Sequence, residues 1–321
     1  MCLATANKVA YIYSKDNNGN FVEYSKRPHV FVLKASTVIN FSNSEEHLLI
    51  GDRHGTLTRY GLTDESIEKE KKAKKISVFG EPNELGGEGL VGHISMILDF
   101  DINEDDTLIF TGDRDEKIKV CRYPESYVIE QMLLGHKGYI SSVISLPDNK
   151  LLSGGSDGWI FLWNVKSGQI VDSTNFDGKV IRRIKLIEMN SCDFTVIITF
   201  EGENYFKIVK YSNNKWNVSD SIKANNGSEG DFFFDIVFTS KYISVNKSGF
   251  YEIDPTTYEI TNINERFTNF VDMQVVIETL KTLIDPLPAL HLCKDADSSN
   301  IDEYMRKKED RISKKIKIAF E

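Results

Sequence analysis

Hydrophobic and polar residues alternate along this chain in short runs. Lys8–Tyr13 (KVAYIY) is the first, and Val180–Ile187, Phe194–Phe200, Tyr205–Tyr211, Phe232–Phe238, Tyr242–Val245 and Phe250–Ile253 continue the pattern downstream. Side chains of a strand point alternately to opposite faces, so a period of two predicts half-buried strands. Turn-forming clusters separate the runs: Asn213-Asn214, Asn225-Asn226-Gly227 and Lys247-Ser248-Gly249. The pattern changes at the end. From Asp302 to Phe320 there is no glycine or proline, and Tyr304, Ile312, Ile316 and Phe320 fall on one stripe at helical spacing. Arg306, Lys307, Lys308, Arg311, Lys314, Lys315 and Lys317 crowd the same predicted helix. The bland reading of this basic helix is a solvated tail; the sharper one is a helix that touches a partner or nucleic acid, or that serves as a nuclear-localisation patch.

Two central segments repeat. One starts at Gly92 (GHISMILDFDINEDDTLIFTGDRDEKIKVCRY) and the other at Gly135 (GHKGYISSVISLPDNKLLSGGSDGWIFLWNV). His93 and His136 are 43 residues apart; Thr111 and Ser153, Asp115 and Asp157, and Cys121 and Trp163 are each 42 apart. A period of about 40–45 residues, opening on GH and closing near WD, is the signature of a WD-repeat propeller blade, a four-stranded antiparallel sheet. In such a blade a histidine, a strand Ser or Thr, a turn Asp and a Trp form a hydrogen-bonded chain that satisfies buried polar groups. His136, Ser153, Asp157 and Trp163 fill all four places. The preceding blade offers His93, Thr111 and Asp115, with Cys121 in the place of the tryptophan. These histidines are therefore read as structural rather than as bases or metal ligands. Leu48–Leu62 resembles a third blade core, with His54 in the turn-Asp place and Tyr60 in the Trp place. His54 and Asp115 are 61 residues apart, and a charged, glycine-rich insert at about 65–90 accounts for the excess. The expected fold is all-β: a WD40-type propeller of about seven four-stranded blades over residues 1–295, then a short basic helix over 300–321. Lys8–Tyr13 is expected as a late strand of its blade, with the ring closed by a strand near Leu280–Leu292.

The 321 residues are 40% hydrophobic and 27% charged, enough for a sizeable core. A net charge of −9 argues against a free-standing nucleic-acid binder. Cys2, Cys121, Cys192 and Cys293 lie far apart, which excludes a local zinc ribbon and suits a reducing compartment. No apolar run reaches membrane-spanning length, so no membrane is expected. Asn7 and Lys8 interrupt the N-terminal apolar stretch, so no secretory leader is expected either, and the sequons at Asn217, Asn226 and Asn246 carry no meaning under that reading. The sequence has no GxSxG, HExxH or GxxxxGK[ST]. A GxGxxG does occur at Gly87, Gly89 and Gly92, but no strand is predicted before it and no helix after it, as a dinucleotide site requires. A binding platform with no metal or cofactor of its own is the expectation.

One stretch departs from an ordinary blade. Gly112–Val120 (GDRDEKIKV), followed by Arg122–Pro124 (RYP), Ile129-Glu130 and Leu134–His136 (LGH), resembles the WD-repeat non-catalytic subunit of tRNA (guanine-N7-)-methyltransferase. Gly92–Asp99 (GHISMILD), Leu162–Asn164 (LWN) and the tail Tyr304–Arg311 (YMRKKEDR) are similar too. The likeness is dense from about Gly92 to Gly168 and sparse elsewhere; the chain also starts later than that family leads one to expect. The resemblance implies a scaffold that binds and stabilises a catalytic subunit as a heterodimer. That partner would carry S-adenosylmethionine and form N7-methylguanosine in the tRNA variable loop. It implies a location in the nucleus, with the cytoplasm open, and contact with tRNA that is indirect or made through Arg306, Lys307, Lys308 and Arg311. It points to Lys119 as an ion-pair partner of the catalytic subunit. Arg114, Glu116 and Lys117 join it as charges that a generic blade hairpin does not need. By strand alternation Ile118 and Val120 face inward, and Lys117 and Lys119 the other way. The alternative is a generic WD-repeat adaptor, such as a ubiquitin-ligase substrate receptor or a ribosome-assembly factor.

Overall fold

The computed structural model describes residues 2–4, 8–17, 21–72, 86–190, 193–223, 235–238, 242–246, 249–253 and 260–262. These form six antiparallel sheets in chain order. The first holds β1 (Cys2–Ala4), β2 (Val9–Lys15), β3 (Phe21–Glu23) and β4 (His29–Phe31), with β3 and β4 both paired to β2. The second is β5 (Ser36–Phe41), β6 (His47–Asp52), β7 (Thr56–Gly61) and β8 (Glu88–Gly92), with α1 (Asp64–Lys72) between its last two strands. The third is β9 (Ile97–Ile102), β10 (Leu108–Asp113), β11 (Lys117–Arg122) and β12 (Ile129–Leu134). The fourth is β13 (Ile140–Leu146), β14 (Lys150–Gly155), β15 (Trp159–Asn164) and β16 (Gln169–Asn175). The fifth is β17 (Ile181–Asn190), β18 (Asp193–Phe200), β19 (Tyr205–Ser212), β20 (Lys215–Val218) and β21 (Ile222–Lys223). The sixth is β22 (Asp235–Phe238), β23 (Tyr242–Asn246), β24 (Gly249–Ile253) and β25 (Ile260–Asn262). Each of the downstream strand expectations falls on one of these elements. The closing strand near Leu280–Leu292 and the basic helix after Asp302 lie outside the described residues.

Register bears out the repeat. Leu48 faces Tyr60, Ile109 faces Cys121 and Leu151 faces Trp163, so the three residues in the Trp place occupy one position in three sheets. All three are buried, at 2%, 1% and 1% exposure. The apolar side chains gather between neighbouring sheets. Leu152, Ile160, Leu162, Ile181, Ile198 and Phe200 form one such layer; Leu49, Leu57, Ile97, Phe100, Ile109 and Cys121 form another. Burial at about 25 cal/mol per Å² of apolar surface makes these layers the main favourable term in the fold.

Two expectations need correction. Lys8–Tyr13 was expected as a late strand, yet β2 lies between β1 on one edge and β3 with β4 on the other. The charged insert at about 65–90 is not wholly outside the sheet either. Glu88–Gly92 is β8, the outer strand of the second sheet, because Leu90 and Val91 bury their side chains at 5% and 3% exposure. Gly89 and Gly92 thus sit in a strand and build no phosphate loop. The helix α1 follows from local chemistry. The Thr63 hydroxyl accepts the Ser66 amide while the Ser66 hydroxyl accepts the Thr63 amide, a reciprocal cap. Asp64 and Glu65 open the helix and Lys69, Lys71 and Lys72 close it, in the sense its dipole favours.

Candidate partner interface

The hydrogen-bonded chain of the fourth sheet is complete. His136 Nε2 and Ser153 Oγ lie 2.8 Å apart, and Trp163 Nε1 donates to the same oxygen at 2.8 Å. His136 Nδ1 lies 3.0 Å from Asp157 Oδ2, which also accepts the Lys137 amide at 2.8 Å. Burial alone would raise the Asp157 pKa; the His136 contact and the backbone donors outweigh it and hold it below the usual carboxylate value. The carboxylate therefore stays charged and locks the β14–β15 turn.

The third sheet closes its chain differently. His93 Nε2 lies 2.7 Å from Thr111 Oγ1, as expected, but Nδ1 lies 2.9 Å from Asp113 Oδ2. Asp113, not Asp115, is the partner. Its other oxygen accepts the Asp115 amide at 2.8 Å and the Lys117 amide at 2.9 Å. In the fourth sheet the residue aligned with Asp113 is Gly155, where an added Cβ would stand 3.2 Å from His136 Nδ1 and 3.4 Å from Asp157 Oδ1. The same pocket is thus filled from a turn residue in one sheet and from the end of a strand in the other. Asp52 in the second sheet shows the strand-end arrangement again, accepting the His54 amide at 2.9 Å and the Thr56 amide at 3.0 Å. The shared triplets Gly51–Arg53 and Gly112–Arg114 (both GDR) carried this signal. Asp115 instead lies 3.9 Å from Arg114 Nε.

The charged hairpin divides as alternation predicts. Ile118 and Val120 are fully buried, Lys117 is exposed and Lys119 is half-buried. Two of its charges have local duties: Lys117 Nζ caps the Asp115 carbonyl at 2.9 Å, and Lys119 Nζ donates to the Gly92 carbonyl across the boundary between the second and third sheets. Glu116 has φ +71°, at the place where Gly55 and Gly158 have +89° and +75°. A glycine adopts that conformation without strain; a glutamate does so at a cost.

Lys119 opens onto a cleft of about 590 Å³ between β8 and the β11–β12 pair. Arg59, Glu88, Glu125, Tyr127 and Ile129 line it with Lys119. Arg59 binds Glu88 at 2.6 Å and lies over the Tyr123 ring. Among the described residues, no carboxylate comes within ion-pair distance of Lys119, so its charge faces the cleft uncompensated. Tyr127 and Ile129 are 82% and 52% exposed, an apolar rim beside that charge. Sequence reasoning singled out Lys119, and Ile129 only as part of the family-like stretch; Arg59 reaches the cleft from β7 of the second sheet and Tyr127 from the β11–β12 connection. Cys121 lies at the cleft floor, and burial pushes its thiol up to about 11, so it packs as an apolar group. Arg306, Lys307, Lys308 and Arg311 lie outside the described residues. Among the described residues no group of three or more His, Cys, Asp or Glu side chains is placed to hold a metal, and no helix is long and apolar enough to cross a membrane.

Known proteins resemble this chain in sequence and in fold. The family model of the tRNA methyltransferase TRM82 WD40 domain matches residues 62–220, which include the hairpin and the cleft. A tRNA (guanine-N(7)-)-methyltransferase non-catalytic subunit of Dictyostelium discoideum, wdr4, is 26% identical over 282 residues, covering 86% of this chain and 59% of its own length. The Caenorhabditis elegans protein of the same description is 25% identical over 304 residues, covering 93% and 69%. TRM82 of Saccharomyces cerevisiae strain S288c is 29% identical over 160 residues, covering 49% and 31%. This chain thus spans from about a third to two thirds of the length of these relatives. Among solved structures, the WD40 β-propeller domain of Doa1 superposes with a TM-score of 0.58 at 14% identity, over 81% of this chain and 77% of that one. That likeness shows the propeller fold.

Proposed function

We propose that this chain, whose residues 62–220 belong to the TRM82 WD40 domain family, is the non-catalytic subunit of a tRNA (guanine-N7-)-methyltransferase. In this reading the catalytic partner holds S-adenosylmethionine and transfers its methyl group to N7 of a guanosine in the tRNA variable loop. The propeller supplies no reacting group. It binds the partner as a heterodimer and stabilises the partner's productive conformation, since a ligand that binds only the folded state raises its stability by mass action. Contact with tRNA is indirect or runs through the basic tail, and the complex works in the nucleus.

The observation that carries the proposal is the family match across the hairpin that places Lys119 in the cleft. An uncompensated cation beside exposed Tyr127 and Ile129 fits an acidic residue flanked by apolar ones on the partner. The test is co-purification of the Lys119→Glu variant with the catalytic subunit, together with a thermal melt of the variant alone. The expected result is a normal melt and a complex weakened by about 2–5 kcal/mol, in the range for a desolvated ion pair. An undiminished complex would remove Lys119 from the interface; a collapsed melt would assign the residue to folding.

A further inference from the structure

The cleft between β8 and the β11–β12 pair holds a free acid as well as a free cation. Its charged lining residues are Arg59, Glu88, Lys119 and Glu125, two of each sign. Arg59 and Glu88 satisfy each other at 2.6 Å, and the Arg59 guanidinium also lies over the Tyr123 ring. Nearby on β11 and β12, Arg122 and Glu130 pair with one another. That leaves Lys119 on the strand and Glu125 on the β11–β12 turn. Glu125 is exposed, and among the described residues no cation stands within ion-pair distance of it. The turn that carries it is held in one shape. The Val128 amide donates to the Glu125 carbonyl at 3.1 Å, the Arg122 amide to the Val128 carbonyl at 3.0 Å, and the Ser126 amide to the Pro124 carbonyl at 2.8 Å. The buried Ser126 hydroxyl donates to the Leu90 carbonyl at 2.6 Å and so fastens the turn to β8 of the neighbouring sheet. Glu125 and Tyr127, on either side of Ser126, remain exposed. Their backbone is ordered before any partner arrives, so binding there loses less conformational entropy.

The charge balance sets what the cleft can take. A carboxylate alone, brought in to Lys119, also approaches Glu125, and like charges set against each other across an interface oppose binding. A segment that carries an acid for Lys119 and a base for Glu125 gains at both ends. We propose that Glu125 is the second recognition point of the cleft. The occupant is a segment of the catalytic subunit that presents an acidic and a basic side chain: the acid meets Lys119 and the base meets Glu125. The two opposed charges fix the direction in which the segment lies, because the reversed segment sets acid against Glu125 and base against Lys119. This rests on the reading of the cleft as the docking site of the catalytic subunit, and adds to it the basic residue. Tyr127, 82% exposed on the same turn, offers that base an aromatic surface on which its aliphatic stem or cationic head can lie.

The test is the Kd of the full chain for the catalytic subunit, measured at low and high salt for the parent and for variants at the two charges. Each variant is also melted alone; Glu125 lies on an exposed turn, so its variants should melt with the parent. Glu125→Gln should weaken the complex about two- to fivefold, the range of an exposed ion pair, and should reduce its salt sensitivity. Glu125→Lys should weaken it about tenfold or more, since it sets a cation against the base of the partner. Lys119→Glu reports on the docking site itself. A complex weakened by Lys119→Glu but indifferent to Glu125→Lys, or tightened by it, would overturn the basic residue and leave the docking site standing. A complex indifferent to both variants would overturn the two together.

Discussion

His93 and His136 do the same work through different acids, and this can be read out one residue at a time. Removing His136 or Asp157 leaves buried partners unsatisfied and should cost about 1–3 kcal/mol in chemical denaturation. In the third sheet the loss should fall on Asp113, which serves His93 and two turn amides at once. Asp113→Ala is expected to cost at least as much as Asp157→Ala, and Asp115→Ala less than 1 kcal/mol, or about the level of a half-exposed turn residue. The reverse order would break the assignment. The Asp157 carboxyl, depressed when folded, stabilises above the ordinary carboxylate pKa, and that stability is lost as pH falls through its folded value; Asp157→Ala should remove this acid-side dependence. Glu116 gives a test of opposite sign. Its φ of +71° suits glycine, so Glu116→Gly should raise stability by about 0.5–1 kcal/mol. If that gain comes with weaker partner binding, the glutamate holds its strained conformation for the interface.

The strands and hairpins show which elements a sequence can announce. Leu48, Ile109 and Leu151 pair as the repeat demands, since apolar period and turn chemistry are local properties of the chain. What the repeat could not show was substitution of one part of a device by another. Aligning Asp115 with Asp157 was sound as sequence and wrong as geometry, because the carboxylate can reach the histidine from either of two backbone positions. The strand at Glu88–Gly92 was hidden by its glycines, and its place follows from the edge of β7 that it covers. In the cleft Lys119 was legible as a charge, whereas Arg59 and Glu88 reach it from the second sheet and Glu125 and Tyr127 from the β11–β12 connection, placements that depend on packing. The helix α1 was also missed, and its attachment is tertiary. Glu70 accepts both guanidinium nitrogens of Arg27, at 2.6 and 2.7 Å, and the amides of Gly61 and Gly87, each at 2.8 Å. These donors outweigh burial and hold the carboxyl below its ordinary pKa. Glu70→Gln should destabilise by about 2–4 kcal/mol, since it strands a half-buried guanidinium. Hydrogen exchange should show the loss first in α1 and at Gly61; protection unchanged there would mean that the helix is held by other contacts.

The chain carries a net charge of −9, and its described residues form antiparallel sheets with a cleft lined by Lys119 and Arg59. On the proposed reading the chain acts by holding a catalytic partner, so its activity is to be sought in a complex. The direct measurement is reconstitution: methyl transfer from S-adenosylmethionine to tRNA by this chain alone, by the catalytic subunit alone, and by the two together, with the melting temperature of the catalytic subunit followed in parallel. The account predicts no methylation and no S-adenosylmethionine binding by this chain alone. It predicts that adding this chain raises both the activity and the melting temperature of the catalytic subunit. Methylation by the isolated chain, or a catalytic subunit whose activity and melting are indifferent to it, would contradict the account.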